Sequence, residues 1–188
     1  MKNTFISLAL ILVGLNMSAQ DKFIADNDKT TLSWLGEKVL GQHTGTVKLL
    51  SGWLNWQDNR IPAGEFLIDM KSIKDDDNST RLEGHLKSDD FFGVEKFPVS
   101  RLVITGSESF ENGTALVRGN LTIKETTLHV EFKSTIQKSD EGMWFYSNII
   151  VDRSKYNVRY GSGSFFSNLG NNLIYDEFKV KVNLFVKK

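Results

Sequence analysis

From Thr31 onward, apolar and polar side chains alternate in run after run. Over 31–38, Leu32, Trp34 and Gly36 share a face; over 42–56, His43, Gly45, Val47 and Leu49 do the same. Phe66, Ile68 and Met70 fall together in 63–73, and Ser100, Leu102 and Ile104 in 100–106. The run 115–124 sets Ala115, Val117, Gly119, Leu121 and Ile123 against Leu116, Arg118, Asn120, Thr122 and Lys124. Leu128, Val130, Phe132, Ser134 and Ile136 continue the pattern, and 143–153 forms a further run. In the last run Phe178, Val180, Val182, Leu184 and Val186 alternate with Lys179, Lys181, Asn183, Phe185 and Lys187. A period of two predicts strands with one wet and one dry face. Eight such runs, joined mainly by short turns, predict an all-β fold: an eight-stranded antiparallel barrel without exposed edges. Among the turns, Asn112-Gly113 predicts a type I′ hairpin.

One stretch breaks the alternation: TRLEGHLKSDDFFGVEKFP, residues 80–98. Leu82 and Leu86 share a helical face, and Thr80 with Glu83 has the spacing of a capping box, so a short helix is expected over about residues 80–88. It delivers Phe91 and Phe92, and Pro98 restarts an extended chain. In an otherwise β protein such an element is expected to cap one barrel end, as a gating lid or as a plain plug.

An eight-stranded barrel has an interior that is either filled or holds one slim ligand. Gly36, Gly45, Gly119, Ser134 and Ser147 sit on the apolar faces and predict open space. The alternative is that such residues only relieve strand coiling. The segment 151–172 becomes rich in Gly, Ser and Asn, and its Tyr156, Tyr160, Phe165 and Phe166 are expected to tuck over something.

The N-terminus begins with a positive charge, continues with FISLALILVGL and reaches Ser18-Ala19 before Gln20. That is the pattern of a secretory signal peptide over residues 1–19, followed by one domain over 20–188. An exported protein, periplasmic or secreted, is therefore expected. Removing 1–19 takes away only Lys2 among charged side chains, leaving a formal charge of −1. A near-neutral chain without a basic run is not built to bind nucleic acid. Cysteine is absent from the chain, which excludes disulfides, thiolate chemistry and a lipidated cysteine anchor.

Candidate chemistry is sparse. His43, His85 and His129 lie on separate elements without metal-ligand spacing, so no metal site is expected. His43 is on the dry parity of its strand and is a candidate ligand contact or a core histidine. Asp75-Asp76-Asp77-Asn78 lacks the Gly and Glu of a calcium loop and reads as a solvated link. No Gly-x-Ser-x-Gly elbow occurs, and no catalytic residue is assigned. Arg153 ends an apolar strand; it either meets an anionic head group or pairs with Asp152, Asp176 or another acid at the barrel rim. The lining or mouth is expected to comprise Trp34, His43, Phe66, Met70, Phe91, Phe92, Leu121, Phe132, Arg153 and Tyr160.

Several stretches together resemble the YceI family of exported, lipocalin-like proteins that bind polyisoprenoids. They are LSWLGEKVLGQHTGTV, GEFLIDMKSI, LEGHLKSDDFFGVEKFP, GNLTIKETT, VDRSKYNVRYGSG and IYDEFKVKVNLF, covering nearly all of 22–188. Glu125 departs from the family, which usually has Gly at that turn. The resemblance implies an eight-stranded barrel that sequesters or carries an isoprenoid or similar long amphiphile. No cofactor is implied; the bound molecule would be a polyisoprenoid or a quinone-like lipid. Transient membrane contact and a monomer or homodimer are the expected associations. An enzyme acting on a lipid or small substrate at the barrel mouth, or a filled barrel used for protein interaction, are the alternatives.

Overall fold

The computed structural model describes residues 20–188, so the expected signal peptide lies outside the described part. The alternating runs form antiparallel strands: β1 (Asp21–Ala25), β2 (Thr31–Lys38), β3 (Gly41–Trp56), β4 (Gly64–Asp75), β5 (Val99–Ser107), β6 (Thr114–Ile123), β7 (Thr126–Ser139), β8 (Gly142–Asp152) and β9 (Ile174–Lys187). Helix α1 (Thr80–Lys87) lies between β4 and β5. Around the wall the order is β3-β2-β9-β8-β7-β6-β5-β4, and β4 pairs back onto β3 to close the barrel. Closure leaves each long strand paired on both sides.

The short β1 was not legible as a strand, because DKFIA is too brief to show alternation. It pairs with the far half of β3, Asp21↔Trp56 to Ile24↔Trp53, and with the end of β9, Ala25↔Val186. β2 pairs with the near half of β3 and with β9 from Thr31↔Asn183 onward. The two short strands thus share one of eight places in the wall.

Strand parity sets the interior as the pattern predicts, with two local slips. Register shifts between Thr46/Lys48 and Leu49/Ser51 in the β3–β4 pair bring Leu54 and Ile73 inward beside Leu49 and Met70. On β9, Phe185 has the outward parity yet is 1% exposed. Trp144 covers it at 4.9 Å between ring centroids, and Lys29 lies 4.5 Å from its ring centre.

The two barrel ends differ. One is closed by rings: Trp56, Phe110 and Phe145 stand 5.6, 5.9 and 5.7 Å apart pairwise. Burial of Phe110 explains why Asn112-Gly113 does not make the expected two-residue hairpin. Gly113 alone has positive φ (74°), and its N–H bonds to the Phe110 carbonyl at 2.9 Å. The chain uses a longer link so that Phe110 can plug the end, a burial that gains roughly 1.5–3 kcal/mol.

Helix α1 covers the other end with the predicted boundaries but a different cap. Ser79 is the N-cap, accepting the Leu82 N–H at 3.3 Å, and Thr80 is already helical. Glu83 turns away from the helix start to the Lys74 ammonium (2.9 Å) and the Asp75 N–H (3.2 Å). A charge-assisted partner outside the helix replaces the expected capping box. Leu86, Phe91 and Val94 then bury themselves against Met70, Ile73 and Val158.

Candidate functional site

Inside the barrel is a cavity of about 230 Å³, running from Ile61 and Phe145 to Phe92 and Arg153. Close-packed interiors hold few voids larger than a water molecule, so this barrel is hollow. Its wall is apolar almost throughout; Thr30, Ser100, Ser134, Ser147 and Tyr175 supply scattered hydroxyls, and Arg153 is the one charged residue lining it among the described residues.

Eight of the ten residues singled out from the sequence line this cavity: Trp34, Phe66, Met70, Phe91, Phe92, Leu121, Phe132 and Arg153. His43 and Tyr160 do not. The β3–β4 pairing starts at Gly45↔Asp75, and His43 stands beyond it on the way out of the barrel. Its Nδ1 lies 3.8 Å from Asp75 Oδ1. Tyr160 is 48% exposed on the outer side of the lid, where its ring meets His85 edge-on at 4.3 Å. Its contribution to the site is a backbone carbonyl that accepts from Arg153.

The small residues also divide. Gly36, Ser134 and Ser147 line the cavity, and a Cβ built at Gly36 would meet nothing within 4 Å. Gly119 is different: a Cβ there would stand 2.6 Å from the Val103 carbonyl oxygen. At Gly45 it would strike the Lys74 carbonyl and the Trp34 ring. These two glycines serve close backbone approach and make no free space.

Arg153 is a structural clamp. It is 2% exposed, at the start of a short 3₁₀ turn (Arg153–Tyr156) capped by the Asp152 carboxylate, which accepts from the Ser154 N–H and hydroxyl. Its Nη1 donates to the carbonyls of Val158 and Tyr160 (both 2.9 Å), Nη2 to Ile174 (2.9 Å) and Nε to Tyr175 (3.2 Å). Nη2 also lies 3.4 Å from Asp176 Oδ1. Five N–H donors are thus nearly all committed, which argues against a bidentate contact with a head group and for the alternative reading, a pairing with Asp176. Burial pulls the guanidinium pKa below its ordinary value, against the opposing pull of the Asp176 and Asp152 charges.

This clamp folds the 157–173 loop back over the rim but leaves much of it wet. Tyr156 is 2% exposed, whereas Phe165 (41%) and Phe166 (50%) face solvent, contrary to the expectation that all the loop aromatics tuck in. The Val39-Leu40 turn, also exposed, is tied to this loop by the bond from Val39 N–H to the Leu173 carbonyl.

The lid is assembled from several elements. Phe91 and Phe92 pack edge-on at 5.1 Å, Phe92 reaches Phe178 at 6.3 Å, and Arg153 lies 5.4 Å over the Phe91 ring. Lys124, in the β6–β7 turn with φ of 55°, donates to the carbonyls of Phe91 and Asn157, both at 3.3 Å. The alternation put Lys124 on the wet face of its run and gave no role to Ile61, which lies in a link, or to Ile174 and Tyr175, which open β9 ahead of the alternation that starts at Phe178.

The YceI-like domain family matches residues 23–186, and the chain belongs to that family. A UPF0312 protein of Pseudomonas putida is 29% identical over 152 residues, covering 77% of this chain and 78% of the relative. Among solved structures, BcnA of Burkholderia cenocepacia superposes with a TM-score of 0.74 at 20% identity, over 87% of this chain and 99% of that one. A polyisoprenoid binding domain from Saccharophagus degradans, implicated in plant cell wall breakdown, gives 0.67 at 14% identity, over 88% and 97%. At these identities the structural likenesses establish the fold.

Proposed function

We propose that the protein binds and carries a long apolar chain, a polyisoprenoid or similar amphiphile, inside the barrel within the cell envelope after export. The observation that carries this reading is the continuous apolar cavity, plugged by rings at one end and covered by a separately built lid at the other. At ~0.8 kcal/mol per buried CH₂, each five-carbon unit gains roughly 3–4 kcal/mol gross on leaving water. Such a wall holds a chain without further chemistry, although ordering the chain offsets part of the gain. The Saccharophagus degradans domain of the same fold is a polyisoprenoid binding domain, which supports the same ligand class here.

Among the described residues, those lining the cavity include no acid, no histidine and no lysine, so they offer no nucleophile held beside a base. That favours carriage over catalysis. Exposed Val39, Leu40, Phe165 and Phe166 beside the lidded mouth support transient membrane contact during loading. Native mass spectrometry of protein purified from its own cells tests the reading. A co-purifying lipid mass is expected. Its absence, together with no saturable binding of an added long-chain isoprenoid, overturns the proposal.

A further inference from the structure

At the foot of the lid, outside the cavity, three side chains from two segments converge. His43 comes from β3, and Asp75 and Asp77 from the end of β4 and the link to α1. Their ligand atoms all lie within 4.8 Å of one another. Asp75 is the informative member: its side chain is 1% exposed, yet Oδ1 has no hydrogen-bond partner. The facing Nδ1 of His43 is likewise buried and without a partner. Buried polar atoms are normally satisfied, and leaving one bare costs about 1–3 kcal/mol.

The separation of 3.8 Å between His43 Nδ1 and Asp75 Oδ1 is too long for a direct hydrogen bond. It suits two ligands of one ion: metal bonds of about 2.1 Å at tetrahedral angles put ligand atoms roughly 3.4 Å apart. The surroundings hold the ligands in place. Asp75 Oδ2 accepts the Ser79 N–H at 3.0 Å, which leaves Oδ1 to the cluster. Asp76 is turned aside by Thr44, whose Oγ donates to its carboxylate at 2.7 Å. Asp77 remains exposed with its carboxylate on the ligand side.

We propose that His43, Asp75 and Asp77 bind a divalent first-row transition ion of the zinc type, with water completing the shell. The nitrogen ligand separates this set from the all-oxygen sites of calcium and magnesium. The ion joins β3 to the segment that carries α1, and Asp75 also holds the N–H of the helix N-cap, Ser79. Metal binding therefore braces the root of the lid.

The test uses the full mature chain, stripped of metal, titrated with Zn²⁺ near neutral pH by calorimetry and followed by thermal unfolding. One saturable equivalent and a raised unfolding midpoint are expected. His43→Gln and Asp77→Asn should each weaken binding by at least the roughly ten- to hundredfold typical of outer-shell changes. His129→Gln, at an exposed site elsewhere, should leave it unchanged. Circular dichroism of the two ligand variants checks that they fold, so that loss of binding reports the site. No Zn²⁺ uptake by the wild-type chain, or equal uptake by His43→Gln and Asp77→Asn, overturns the proposal. So does binding of Ca²⁺ as tight as that of Zn²⁺.

Discussion

Phe91 and Phe92 are adjacent in the chain but serve different neighbours. Their rings meet at 5.1 Å and 67°, and from that joint Phe91 reaches inward under Arg153 while Phe92 reaches across the cavity to Phe178. Phe91 belongs to the buried cluster under α1, and Phe92 packs against its edge. The two substitutions should therefore separate. Phe91→Ala is expected to lower stability by about 3–5 kcal/mol, as for other buried rings. Phe92→Ala should cost less and should speed release of a bound fluorescent isoprenoid analogue more than it slows association. Stopped-flow release and urea unfolding of both variants check this; equal release rates with unequal stability would reduce the lid to a plug.

Blocking the cavity calls for a glycine with room beside it. Gly36→Leu should abolish isoprenoid binding and keep a strand-rich circular dichroism spectrum, because its Cβ enters open cavity space. Gly119→Ala should instead destabilise the wall, since its Cβ meets the Val103 carbonyl at 2.6 Å. Ligand titration and unfolding of the two variants check the contrast. Overpacking at Gly119 is expected to cost roughly 1–3 kcal/mol.

Arg153→Met removes the donors to four carbonyls at once. Each acceptor left bare costs about 1–3 kcal/mol if it stays buried, so the loop should open to water instead. Faster proteolytic cleavage within 157–173 is expected, with a lowered unfolding midpoint. Cleavage at the wild-type rate would contradict the clamp.

Acid should loosen the root of the lid. The Lys74 ammonium and the Asp75 N–H hold Glu83 below its ordinary pKa. A lowered folded value means that Glu83 contributes stability above the unfolded value, about 4.3. That contribution is lost as pH falls through the lowered folded value. Urea midpoints should therefore decline on acidification below about pH 4.3. The same series for Glu83→Gln should decline less steeply.

Most of the wall was legible in the sequence. Alternation assigns a side to each residue of a strand, and a barrel needs little more than eight such runs to close. Trp34, Phe66, Met70, Leu121 and Phe132 could be placed on the cavity from parity alone. Parity failed where register shifts, as at Leu54 and Ile73, and where a strand is too short to alternate, as in β1.

Local pattern determined which residues face inward, where helix α1 lies and which family the chain resembles, because each depends on neighbours a few positions apart. Tertiary structure decided the rest, because it depends on distances between segments far apart in sequence. Only packing distinguishes Gly36, which opens space, from Gly119, pressed against the Val103 carbonyl. Only the folded loop occupies Arg153 with four carbonyls and withdraws it from ligand chemistry. Only strand pairing carries His43 past Gly45, out of the cavity, and sets its bare nitrogen against the bare oxygen of Asp75.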